Sequence, residues 1–309
     1  TPKGGLLGMM AAAAYRAPVR IYHMRGLPLM GATGMRRLLL RITEWTACRL
    51  AHQVFCVSHS VRGEAVAAGI CPPGKISVLL GGSGNGVDAA GRFDPDAQES
   101  GARMETRERF GIPSDAVVIG FVGRIVRDKG VVELVDAWQG LRGRFPSAHL
   151  LVVGPFEEQD RIPTETERLL RNDPRVHLAG MNWETPPLYG AMDLVALPTY
   201  REGFPNVPLE AAAMRLPVVA TRIPGCVDAV EDGETGTLVP ARDAGALSDA
   251  LARYLENAEL RERHGRVGRA RVIREFGQEA IWTALHSEYL RLMRERGVAK
   301  PRRERGGIA

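Results

Sequence analysis

The stretch Glu202-Gly203-Phe204-Pro205-Asn206-Val207-Pro208-Leu209-Glu210 sets two carboxylates on either side of the entry to a helix. An apolar strand over 194–198 leads into it, so Glu202 falls in the turn that follows. Asn206 suits an N-cap, and Val207 and Pro208 then occupy the first helical positions, where proline loses nothing. Glu210 lies about one turn inside. The free N–H groups at such a helix start, together with its dipole, attract an anion. Carboxylates flanking an anion cradle fit a ligand that also presents hydroxyls, a combination found in a nucleotide-sugar.

Upstream, Gly120-Phe121-Val122-Gly123-Arg124-Ile125-Val126-Arg127-Asp128-Lys129-Gly130 carries the complementary charge. Residues 117–122 read as a parallel strand buried on both faces, apolar throughout and rich in β-branched side chains. Arg124 and Lys129 follow its C-terminal end, where open α/β sheets bind ligands. A planar guanidinium and a compact ammonium together can neutralise a diphosphate.

The remaining pattern alternates strand and helix. Strands are expected at 19–22, 54–57 and 76–79 in the first part, and at 117–122, 149–153, 176–178, 194–197, 218–220 and 237–239 in the second. Helices are expected at 6–15, 35–50, 61–68, 131–145, 207–214, 246–255 and 278–293. This alternation predicts an α/β protein with doubly wound parallel sheets. Residues 88–105 lack periodicity and read as the interdomain connection, with a short helix at 107–110. Helix 35–50 places Leu38, Leu39, Ile42 and Trp45 on one face and Arg37, Arg41, Glu44 and Cys48 on the other.

A chain of 309 residues with net charge +5 suits two domains. No apolar run reaches the ~18 residues of a membrane span. Four cysteines, Cys48, Cys56, Cys71 and Cys226, show no paired spacing, which fits a reducing cytosol. The arginine excess gathers at Arg36, Arg37 and Arg41 and again from Arg291 onward. Without aromatic–basic interleaving it does not indicate nucleic acid. The Arg36/Arg37/Arg41 face reads either as a solvated helix surface or as a docking face for anionic lipid.

These motifs, with the run 216–240 and with Thr1-Pro2-Lys3-Gly4-Gly5-Leu6-Leu7-Gly8, 54–60 and 82–88, make the chain similar to the family 4 retaining glycosyltransferases of the GT-B fold. The first-half motifs resemble the branch that builds bacterial capsule, O-antigen and lipid-linked glycans. The resemblance implies two Rossmann-like domains: a partial acceptor domain over 1–95, truncated relative to the family; a donor domain over 96–277; a helix over 278–296 crossing back to the first domain; and a basic, disordered tail over 297–309. It implies that Arg124 and Lys129 hold the donor diphosphate with Gly123 beside them. Glu202 contacts the transferred sugar and Glu210 the ribose. Gly203, Phe204, Pro205, Asn206 and Val207 approach the phosphates, and Met181 and Asn182 the base. His23 and Arg25 fall on the acceptor side, where the family carries a histidine-glycine pair. The expected partners are a nucleotide-sugar donor, with UDP the favoured nucleotide, a lipid-linked acceptor and an anionic membrane surface, with no nucleic acid. No cofactor and no metal are expected, and the expected place is the cytoplasm, with peripheral association at the inner face of the plasma membrane as the further option. Two other readings remain: a donor-binding fragment that is inactive or needs a partner chain, and a nucleotide-sugar epimerase of the same fold.

Overall fold

The computed structural model describes residues 2–99 and 101–298. Among the described residues nine strands form two parallel sheets. The first contains β1 (Ile21–Met24), β2 (Gln53–Cys56) and β3 (Ile76–Val78), in that order. The second contains β4 (Val117–Val122), β5 (Ala148–Val153), β6 (Val176–Gly180), β7 (Leu194–Leu197), β8 (Val218–Thr221) and β9 (Gly236–Val239). Their order, β6-β5-β4-β7-β8-β9, has a consequence for function. The chain runs outward from β4 in one direction, then returns to its other side through β7. The gap between the C-terminal ends of β4 and β7 is therefore a topological switch point, where the flanking loops diverge and leave a crevice.

Both faces of the second sheet are covered, which is why its strands are apolar without alternation. On one face Phe121, Trp138, Leu141, Leu150 and Tyr254 pack together, and on the other Leu151, Tyr189, Leu209, Val218 and Phe276. The closing helix, Gln278–Glu295, leaves this core and lies against the first sheet. There Ile281 meets Gly86, and Tyr289 Oη pairs with His23 Nε2 at 2.7 Å.

Several sequence expectations need correction. The first strand starts two residues later than expected, because the Arg20 carbonyl is taken by the His52 and Gln53 amides before the β1–β2 ladder begins. The supposedly aperiodic connection contains a helix, Ala102–Arg109. It is anchored by a buried guanidinium rather than an apolar stripe: Arg107 donates to the carbonyls of Ser114, Ala116 and Ala191 and to Asp193. In the helix Gly34–Leu50 the inward face is Glu44, Ala47 and Cys48, while Met35, Leu38, Leu39, Ile42 and Trp45 are exposed. Asn206 does stand at the N-cap of Val207–Ala213, but its backbone is already helical (φ −77°, ψ −31°) and its side chain makes no cap bond. The basic tail lies, from residue 299 on, outside the described residues.

Candidate active site

Two loops at the switch point are fastened to each other by main-chain contacts. After β4 the chain makes a 3-10 turn, Arg127–Lys129, and enters the helix Val131–Arg144 through Gly130. Gly130 has φ +69°, and a Cβ there would lie 2.0 Å from the Pro198 carbonyl oxygen, so only glycine fits. That approach seats Lys129 over the end of β7. The Asp128 carbonyl accepts from the Tyr200 amide (2.9 Å) and the Thr199 hydroxyl (3.2 Å), and the Asp128 carboxylate takes Arg201 Nε at 2.9 and 3.0 Å. This bond holds the Arg201 guanidinium more firmly protonated than usual.

The result is an ion pair between Lys129 Nζ and Glu202 Oε1 at 2.5 Å, with both side chains largely buried. Arg124, bonded to Glu157 at 2.8 Å, lines the same cavity of about 490 Å³. Lys129, Arg201, Glu202 and Gly203 close it from the second-sheet side. From the first-sheet side come Tyr22, His23, Arg25 and Glu44. The structure thus gathers Arg124, Lys129, Glu202, Gly203, His23 and Arg25 into one cavity between the sheets.

The other sequence candidates lie around it. Gly123 joins β4 to Arg124. Phe204 packs against Phe276 with the rings tilted and their centroids 5.4 Å apart, Pro205 is buried and Asn206 is exposed. Glu210 sits deeper and accepts from Tyr189 Oη at 2.8 Å; burial raises the pKa of its carboxyl and of the Tyr189 phenol. Met181 is exposed and Asn182 half-buried just past the end of β6, the Asn182 side chain capping the Glu184 amide at 2.9 Å. On the opposite side, Arg25 donates to Asn85 Oδ1 (3.1 Å) and the Gly84 carbonyl (3.4 Å) in the glycine-rich loop, and burial lowers the His23 pKa. Sequence reasoning missed Arg201, Tyr22 and Glu44. Only Arg201, adjacent to Glu202, carried a local signal.

A second set of bonds joins the loops across the cleft. Ser58 Oγ donates to the Gly203 carbonyl at 2.8 Å. Ser60 Oγ accepts from the Gly225 amide at 2.7 Å and donates to Asp228. Asp228 also accepts the His59 and Ser60 amides, capping the helix His59–Ala67 from the other sheet's side.

This geometry meets a clear sequence relationship. Capsular polysaccharide biosynthesis glycosyltransferase CapM of Staphylococcus aureus is 33% identical over 295 residues, 96% of this chain and 76% of CapM. The chain belongs to the group 1 glycosyltransferases. The model for that family, "Glycosyl transferases group 1", matches residues 116–257, the span from β4 past β9. Lipopolysaccharide core biosynthesis glycosyltransferase LpsE of Rhizobium meliloti is 32% identical over 187 residues, covering 60% of this chain and about half (52%) of LpsE. Among solved structures, Anabaena HepE in complex with UDP superposes with TM-score 0.80 at 23% identity, over 94% of this chain and 77% of HepE. The fold is therefore GT-B, and the cavity lies in the cleft between the two sheets of this glycosyltransferase.

Proposed function

We propose that this glycosyltransferase moves a sugar from a UDP-sugar to a lipid-linked or glycan acceptor in bacterial surface polysaccharide synthesis, with retention at the anomeric carbon. The observation that carries the reading is the Lys129–Glu202 pair beside Arg124 at the switch point of the six-stranded sheet. A pyrophosphate lying between Arg124 and Lys129 draws the ammonium toward it and leaves Glu202 free to accept a hydroxyl of the attached sugar. Negative charge builds on the leaving diphosphate as the glycosidic bond breaks, and cations fixed in place beforehand stabilise it without reorganising. In this reading Glu210, one helical turn beyond the loop, accepts the ribose hydroxyls. The nucleotide-sugar is a co-substrate, and the reading calls on no cofactor. Capsule and lipopolysaccharide assembly are the named roles of CapM and LpsE, and HepE was solved with UDP.

Lys129→Ala tests this directly. Turnover of a panel of UDP-sugars should fall more than tenfold, with weaker UDP binding by calorimetry. Donor hydrolysis and transfer at the wild-type rate would refute the role, and release of a free epimerised sugar would point to an epimerase instead.

The same reading includes work at a membrane surface. No helix among the described residues is long and apolar enough to cross a bilayer. The helix Gly34–Leu50 nevertheless exposes Leu38, Leu39, Ile42 and Trp45 alongside Arg36, Arg37 and Arg41. An apolar strip bordered by arginines suits the interface of an anionic bilayer, where each basic residue adds ~1 kcal/mol. Cosedimentation with phosphatidylglycerol vesicles, but not with phosphatidylcholine vesicles, is the expected result. Equal or absent binding to both would remove the membrane from the proposal.

A further inference from the structure

The buried carboxylate on the first-sheet wall of the cleft has no counterpart in the donor chemistry above. Glu44 projects from the helix Gly34–Leu50 toward β1 and is 1% exposed. Its Oε2 accepts from Tyr22 Oη at 2.8 Å. Tyr22 is itself 8% exposed, and its ring is pressed from above by the helix Pro2–Ala14: a Cβ on Gly5 would come within 2.6 Å of Tyr22 Cε2 and 3.1 Å of Tyr22 Oη. The phenol is held in one orientation, and through it the carboxylate. Both residues line the same cavity as Lys129 and Glu202.

A carboxylate in such a place is costly. Among the described residues its one hydrogen-bond partner is the Tyr22 phenol, which does not replace the hydration lost by a buried acid, whose two oxygens can accept about four hydrogen bonds. Burial accordingly raises its pKa, as it does that of Tyr22. The cost is offset when a ligand brings donor groups into the cavity. The ligand's chemistry is restricted by the neighbours. Arg25 and Lys129 line the cavity too, so an ammonium group is repelled, and a phosphate is repelled by the carboxylate itself. Neutral donors remain: sugar hydroxyls and amide N–H groups. The wall also decides which sugar. Glu44 and Tyr22 come from the first sheet's side, across the cleft from Arg124, Lys129 and Glu202.

We infer that Glu44, oriented by Tyr22, is the residue that binds a hydroxyl or acetamido N–H of the acceptor sugar, placing that sugar against the donor across the cleft. The inference rests on the glycosyltransferase reading of the cavity. Glu44 acts by direct contact, and Tyr22 is a positioning residue.

The test separates the two substrates. Octyl glucoside, octyl galactoside and octyl N-acetylglucosaminide serve as acceptors against a panel of UDP-hexoses. Glu44→Gln keeps the shape and can still accept from Tyr22, so it should fold. It should raise the acceptor KM at least tenfold while donor KM and acceptor-independent donor hydrolysis stay within twofold. Tyr22→Phe should raise the acceptor KM less, with kcat at saturating acceptor little changed. Equal changes in donor and acceptor KM, or an unchanged acceptor KM in both variants, would overturn the assignment. So would a wild type that hydrolyses a UDP-hexose yet transfers to none of the three glycosides. A wild type that neither binds nor hydrolyses any UDP-hexose sinks the donor reading itself, which is a different failure.

Discussion

Gly203 is the position where one added carbon should separate fold from function. Its backbone does not occupy the positive-φ region, so alanine meets no torsional penalty there. The obstacle is the other half of the cleft: a Cβ on Gly203 would lie 1.9 Å from the Arg25 carbonyl oxygen, 2.6 Å from its carbon and 3.1 Å from Gly26 Cα. Ordinary contact begins near 3.4 Å, so the loop must retreat by about 1.5 Å. The obstructing atoms are backbone and cannot rotate away. That retreat carries Glu202, and with it the Lys129 pair, away from the first-sheet wall, and it stretches the 2.8 Å bond from Ser58 to the Gly203 carbonyl. A displacement of about 1 Å at reacting groups costs roughly 10²-fold in rate, equivalent to about 2.7 kcal/mol of barrier. Gly203→Ala should therefore lower kcat for sugar transfer by about two orders of magnitude while each sheet keeps its core and the melting temperature changes little. Gly8→Ala is the control, since a Cβ there meets nothing within 4 Å. Initial rates with saturating donor, paired with thermal melts, provide the comparison. A Gly203→Ala enzyme within threefold of wild type would show that the observed contact between the loops is not the catalytic geometry.

Two further predictions follow from bonds that cross or underlie the cleft. Asp228→Ala removes the cap that the second sheet's side lends to the helix His59–Ala67; a lost N-cap costs about 1 kcal/mol, so urea denaturation should show that loss together with a several-fold drop in kcat, and a variant matching wild type in both would mean the latch is idle. Glu210→Gln should weaken UDP binding at neutral pH by about tenfold, the value of one good hydrogen bond to a charged group. Its effect on stability has a defined sign. Burial raises the Glu210 carboxyl above its ordinary 4.5, so the fold holds its proton more firmly than the unfolded chain does. The native state thus gains from Glu210 below pH 4.5 and loses that gain as the pH rises through the folded value. The neutral glutamine escapes that loss, so the variant should be at least as stable as wild type at pH 7, with the advantage disappearing near pH 4. Denaturation at the two pH values checks this, and a variant less stable at pH 7 than at pH 4, relative to wild type, contradicts it.

The second sheet was legible because its strands are buried on both faces. Residues 117–122, 194–197 and 218–220 are unbroken apolar runs, and such runs have few alternatives once helical periods separate them. The pairing of Lys129 with Glu202 could be anticipated as a convergence of two strand ends, although no sequence pattern reports the order β6-β5-β4-β7-β8-β9 that makes β4 and β7 neighbours. Helix 35–50 misled for a physical reason. Its leucines and tryptophan outweigh Glu44, Ala47 and Cys48 in any hydrophobicity count, yet the smaller face packs on β1 and the larger one is exposed. A buried glutamate looks like a surface residue until the phenol that partners it, 22 positions earlier, is placed beside it. The helix Ala102–Arg109 was hidden likewise, since the Ala191 carbonyl and the Asp193 carboxylate, both distant in sequence, anchor it through Arg107.

The division of labour in the cleft explains why the cross-cleft contacts were the least readable part. Side chains that suit a ligand stand at strand ends, and their chemistry is visible in the sequence as arginine, lysine and glutamate. The bonds that set the distance between the two walls use main-chain atoms and short side chains: Ser58 to the Gly203 carbonyl, Ser60 to the Gly225 amide, Gly203 against Arg25 and Gly26. Serines and glycines are the common residues of loops, so nothing marks these apart from ordinary turns. Their effect is nevertheless the more demanding one. A cation can shift by rotating about several bonds and still neutralise a phosphate, whereas two backbones in contact admit no adjustment smaller than the movement of a whole loop. The tolerance of the site to substitution should therefore be low at Gly203 and Gly225, where a Cβ would meet backbone at 1.9 and 2.6 Å, as it is at Gly130, and higher at the exposed cation Arg124, whose guanidinium already reaches its place through a flexible chain.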